Sequence, residues 1–121
     1  MPTRSFEPRT PEQAAYWTTS YPVTALLPMA ALVDAVVSRD FSQVAIPALF
    51  RLSDDDRVVR ADISREVAAG WGANGATVQA VTMGPEDDAY SHVIAGDIMS
   101  PGQTEQAVVD ILSWLAAQGI Q

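Results

Sequence analysis

The sequence predicts an α/β fold: two parallel strands with flanking helices. Three observations carry it. Two short, nearly continuous apolar runs, VAIPALFRL (44–52) and ATVQAVTM (76–83), have the composition of strands buried on both sides. The segment between them, ADISREVAAGWG (61–72), sets Ile63, Val67 and Trp71 four residues apart, a helical spacing. The last run carries the strongest helix signals in the chain. Strand, helix, strand, helix in that order implies parallel strands joined by crossovers.

Residues 1–11 hold three prolines among alternating charges and read as an extended arm. PEQAAYWTT (11–19) starts a short helix with Pro11 in its first turn. Tyr21-Pro22 breaks the chain, because a residue before proline resists helical angles. A helix is predicted from about Pro28, with Met29, Leu32, Val33, Val36 and Val37 as its buried stripe. Pro47 cannot donate to a ladder, so it belongs near a strand start or at an edge. SDDDR (53–57) is a polar turn, and GPEDDAYSH (84–92) is the loop after the second strand. Ser100, Pro101 and Gln103 make a Ser-x-x-Gln capping box for the final helix. Val108, Ile111, Leu112 and Leu115 are its expected core stripe, with Gln106, Asp110 and Ser113 facing away; Gly119 ends it.

At 121 residues the chain has room for one domain, expected over 1–121 with an N-terminal arm over 1–20. Hydrophobic residues make up 48%, which argues against disorder. Fifteen acidic residues against seven basic ones leave a net charge of -8, a field that repels nucleic acid and anionic membranes. No cysteine is present, so thiolate chemistry and disulfides are excluded. No apolar run reaches the length of a membrane span, and the first residues lack a signal-type apolar region. A cytoplasmic location is the expectation. The glycines of WGANG (71–75) read as a helix end and turn, not a phosphate loop, and no cofactor or metal is implied. The Asp54-Asp55-Asp56 run lacks the alternating spacing and central glycine of a calcium loop.

His92 is the chain's one histidine. In open parallel sheets, chemistry gathers in loops beyond the carboxyl ends of the strands. One such loop carries Asp54, Asp55 and Asp56, and the other carries His92. Neighbouring strands lie about 4.8 Å apart, so the two loops can set a carboxylate against an imidazole. Such a carboxylate fixes the tautomer and leaves the other ring nitrogen to act as a base.

At these residues the chain resembles the C-terminal part of the α/β-hydrolase family. IPALFRLSDDDRVV (46–59) is similar to the family's penultimate strand and acid turn, with Ser53 as its small residue, Asp56 as the triad acid, and Val58 and Val59 following. ATVQAVTM is similar to the last strand, AYSHVIAGD (89–97) to the histidine loop, and the final helix to the one that packs back on the sheet. YPVTALLPMAALV (21–33) resembles a stretch that lysophospholipase-like members place between cap and acid strand, and the same resemblance implies a cap remnant for the arm over 1–20. The resemblance covers most of residues 20–118.

It implies a partial α/β-hydrolase fold, carboxylic ester hydrolysis in the complete enzyme, a small-molecule ester or acyl substrate, and catalytic roles for Asp56 and His92. The family's serine precedes its acid in a Gly-x-Ser-x-Gly elbow. Here Ser5, Ser20, Ser38, Ser42 and Ser53 precede Asp56, yet the first glycine is Gly70. The nucleophile is therefore absent, and little or no hydrolysis is expected of the chain alone. The other expectation is a non-catalytic fragment or association module, a homo-oligomer formed through an exposed sheet edge.

Overall fold

A computed structural model describes residues 1–120; Gln121, the last residue of the expected single domain, lies outside the described residues. The chain's contacts group into two units, residues 1–39 and the residues from Asp40 onward.

The first unit begins where an extended arm was expected. Strand β1 (Thr3–Ser5) pairs antiparallel with β2 (Ser20–Pro22), Arg4 opposite Tyr21. The Ser5 hydroxyl donates to Ser20 Oγ across the pair at 3.0 Å. Pro22 fits because it ends its strand. Between these strands lies α1 (Pro11–Tyr16), capped by Thr10, whose Oγ1 accepts from Gln13 N at 3.0 Å. A 3-10 turn over Val23–Ala25 leads into α2 (Leu26–Val37), so this helix starts before Pro28 and holds that proline in its first turn. The stripe expected to be buried on α2 is exposed along its length: no residue of the helix is buried.

The second unit carries the parallel pair. Strand β3 (Leu49–Leu52) runs into a turn and then α3 (Ala61–Ala69), and the chain returns through β4 (Thr77–Ala80). β3 and β4 are parallel, with Arg51 opposite Gln79. Both are shorter than their apolar runs, and Pro47 falls just before β3, where no ladder donor is required. Trp71, just past α3, stacks on Phe41 at 5.2 Å, meets Phe50 edge-on at 5.8 Å, and donates its indole N–H to Ile46 O at 2.8 Å.

The last helix, α4 (Pro101–Ala117), meets the sheet through a face the apolar pattern did not indicate. Gln103 donates to Thr82 O, Ala107 is buried, Asp110 pairs with Arg51, and Trp114 donates to Thr77 Oγ1 at 3.1 Å. These positions are four, three and four residues apart, one helical face. Asp110, expected outward, therefore points in. Val108, Ile111 and Leu112, expected inward, are exposed. The capping box does not form either: the Ser100 side chain makes no cap bond, and Gln103 is turned to other partners. Leu52, Ala68, Val81 and Ala107 are the buried apolar residues among those described. No helix among them is long and apolar enough to cross a membrane.

Candidate active site

The site is built on two loops at the carboxyl ends of β3 and β4. The acid turn follows β3 directly. Ser53 is buried, and its carbonyl accepts Asp56 N at 3.3 Å while its Oγ accepts Asp55 N at 3.3 Å. Asp56 Oδ1 accepts the N–H of Val58 at 2.7 Å and of Val59 at 2.9 Å. That pins one carboxylate oxygen to the backbone and leaves Oδ2 for His92, whose Nδ1 lies 2.9 Å away. Asp54 turns outward to a two-pronged bond with Arg65, at 2.8 Å for each prong. Of the three consecutive aspartates, only Asp56 meets the imidazole.

The histidine loop is held by two carboxylates. Asp88 is 4% exposed. Its Oδ2 accepts His92 N at 3.1 Å and Val93 N at 3.0 Å, its Oδ1 accepts Tyr90 N at 3.2 Å, and its own N–H donates to Ser100 Oγ at 3.0 Å. The Ser100 hydroxyl in turn donates to Val93 O. Asp87 ties the loop's base to α4, accepting from Gly84 N at 2.8 Å, Gln103 Nε2 at 2.7 Å and Gly102 N at 3.0 Å. Ser91 sits in the left-handed region at φ 52°, which turns the chain into His92. Arg57 N donates to Tyr90 O at 2.9 Å and so joins the two loops beside the Asp–His contact.

Burial works to raise the Asp56 pKa, but the N–H of Val59, the His92 ring and the N–H of Val58 together outweigh it, and the carboxyl lies below its ordinary range. Asp87 follows the same pattern: burial raises it, while Gln103, Gly84 and Gly102 bring it below normal. The Asp56 side chain is 12% exposed and that of His92 40%. The acid is thus sheltered while the ring reaches solvent. Among the described residues no hydroxyl bonds to the imidazole. None of them forms a group of three or more side chains suited to a metal.

The sequence placed Asp56 and His92 in facing loops, and the structure brings them together. It left Asp87 and Asp88 as part of the loop after the second strand, and gave Ser100 only the role of a helix cap. Aspartates in a turn-rich loop that bind nearby backbone N–H groups were the available signal. A cleft of about 530 Å³ lies at the other end of the sheet, lined by Val44, Ile46, Pro47, Trp71, Asn74 and Thr77 among others, and does not adjoin the Asp–His pair.

The fold and site define a class: an α/β arrangement with an Asp–His pair beyond the carboxyl ends of two parallel strands. No family model matches the chain, and no curated protein or solved structure matches it.

Proposed function

We propose that the chain is the C-terminal part of a serine hydrolase of the α/β-hydrolase type, acting on carboxylic esters, with Asp56 as triad acid and His92 as base. The observation that carries the reading is the 2.9 Å contact between Asp56 Oδ2 and His92 Nδ1, with the other carboxylate oxygen held by two backbone N–H groups. A carboxylate fixed in this way keeps the proton on Nδ1 and leaves a lone pair on Nε2. Nε2 then takes the proton of a serine hydroxyl as that oxygen attacks the ester carbonyl, and passes it to the departing alcohol. A water activated at the same nitrogen releases the acid. The serine and the oxyanion donors come from polypeptide outside these residues, since no serine here has flanking glycines two residues either side. The reading keeps a cytoplasmic location and a small ester substrate.

Intact mass after treatment with a fluorophosphonate probe should show no adduct on the chain alone; a His92-dependent adduct would place the nucleophile within it. In a polypeptide that also carries the nucleophile, His92→Ala should abolish ester turnover and Asp56→Asn should lower it by about 10⁴-fold. Unchanged turnover in the histidine variant would remove the assignment.

A second reading, association without catalysis, is favoured by the surface. Val108, Ile111 and Leu112 on α4 and most of α2 are exposed apolar side chains, an arrangement that invites a partner.

A further inference from the structure

We propose that Asn74–Gly75 is a site of spontaneous covalent modification, at which the asparagine deamidates through a cyclic imide and puts a carboxylate into the cleft beside Trp71. The site is independent of the Asp56–His92 pair, which the cleft does not adjoin. Asn74 is the chain's one asparagine, and glycine follows it. Asparagine is among the thermally labile residue types. Its weakness is an internal ring closure: the main-chain nitrogen of the next residue can reach the side-chain carbonyl carbon in a five-membered ring. A glycine in that next place has no Cβ to crowd the ring.

The fold leaves this closure open. The pair lies in the turn between α3 and β4, outside helix and strand, and Asn74 is exposed. Among the described residues nothing hydrogen-bonds to the Asn74 carboxamide, so it is free to rotate toward the main chain. The Gly75 N–H has no acceptor among them either. Its neighbours do: Gly72 N donates to Phe41 O at 2.9 Å, and Ala76 N to Ala68 O at 2.7 Å. A paired peptide N–H holds its proton, whereas an unpaired one must turn to water, where base can take it.

The step balances without a cofactor. Base removes the proton from Gly75 N, and that nitrogen attacks Asn74 Cγ. The N–Cγ bond forms, the Cγ–Nδ2 bond breaks, and ammonia leaves after taking a proton from solvent. Water then opens the ring. Attack at Cγ gives aspartate. Attack at the main-chain carbonyl carbon of residue 74 gives isoaspartate, in which the chain runs through the side-chain carbon. Nothing is oxidised or reduced.

Either product changes the cleft. No residue that lines it is ionisable, so the new carboxylate is its first charge, on a chain already at -8. Isoaspartate also adds one atom to the main chain just ahead of two bonds, Ala76 N to Ala68 O and Thr77 N to Ala48 O at 3.0 Å. These seat the start of β4 against α3 and β3.

The test is intact mass of the whole chain over time in mildly alkaline buffer, folded and in urea, followed by peptide mapping. The folded chain should gain one mass unit, at a rate comparable with that in urea and rising with pH. The gain should map to the peptide holding Asn74, as a mixture of aspartyl and isoaspartyl forms. Gly75 has φ of 75°, so a side chain there would strain the turn, and Asn74 is the residue to change. Asn74→Gln keeps an amide but requires a six-membered ring, and its mass should hold steady over the same time. A steady mass in the folded chain, whether or not the chain in urea gains the unit, would overturn the proposal. A gain that persists in Asn74→Gln would overturn it by placing the labile amide elsewhere. A purely aspartyl product would remove the imide and leave direct hydrolysis.

Discussion

Asp88 supports the histidine more directly than any apolar contact does. Its carboxylate accepts three loop N–H groups, including that of His92 itself. Replacing it with alanine leaves those donors unsatisfied in a buried place, at about 1–3 kcal/mol for each group that water cannot reach. Asp88→Ala should therefore lower unfolding free energy by at least about 2 kcal/mol in urea titration, and should broaden the amide signals of residues 90–93. Asp88→Asn keeps one acceptor oxygen and should lose less. An alanine variant as stable as the wild type would show that the loop is held by its other bonds. The meeting of the aspartate turn with His92 was legible because adjacent parallel strands dictate which loops meet; the choice of Asp56 among the three aspartates came from the family resemblance. The work of Asp87 and Asp88 was not, because their partners depend on the path of the loop between Gly84 and Ser100.

At the scale of elements, α4 shows how a neighbour overrides amphipathic pattern. Arg51 and its register partner Gln79 bond to each other at 2.7 Å, and Arg51 reaches Asp110 on α4 at 2.7 Å. A guanidinium held against a sheet needs a carboxylate, and Asp110 supplies it by turning the helix about a third of a turn from the face its apolar residues favour. The Arg51 side chain is 10% exposed and that of Asp110 31%. Asp110→Ala thus strands a sheltered cation, whereas Arg51→Met leaves an acid that water can reach. Thermal unfolding should rank Asp110→Ala as the less stable of the two; the opposite order would mean that Gln79 alone satisfies the arginine.

Gly72 is the other element-level constraint. It has φ of 58°, and a Cβ there would lie 2.6 Å from Val44 O. Gly72 N also donates to Phe41 O at 2.9 Å, which seats Trp71 on Phe41. Gly72→Ala should cost about 1–3 kcal/mol, read from the shift in denaturation midpoint. A midpoint unchanged within error would mean the turn moves aside without strain.

Among the described residues the buried apolar ones are Leu52, Ala68, Val81 and Ala107, and the buried carboxylates Asp87 and Asp88 hold the loop ahead of α4. Asp56 and Asp87 both titrate below their ordinary range, burial opposing and hydrogen bonds prevailing. A carboxyl depressed in the folded state adds stability above its unfolded pKa, about 4, and that stability is lost as pH falls through the folded value. Urea midpoints should therefore hold steady from neutral pH down to about 5 and drop below 4. Asp87→Asn should flatten the acid drop while lowering the plateau. An acid drop as steep as the wild type's would place the titrating groups elsewhere.

Local patterning by itself determined the strand–helix–strand–helix order after residue 44, the polar turn at 53–57, the loop that holds His92 and the start of the last helix at Pro101. Composition, periodicity and proline positions act over a few residues and suffice for those. The tertiary structure decided that the first residues pair as β1 with β2, that α4 turns Asp110 inward, and that Asp87, Asp88 and Ser100 brace the histidine. Each of these depends on which polar group lies within hydrogen-bond reach across a long stretch of sequence. The exposure of the α2 stripe belongs to the same scale: periodicity says that a face is apolar, but only the surrounding chain decides whether anything covers it.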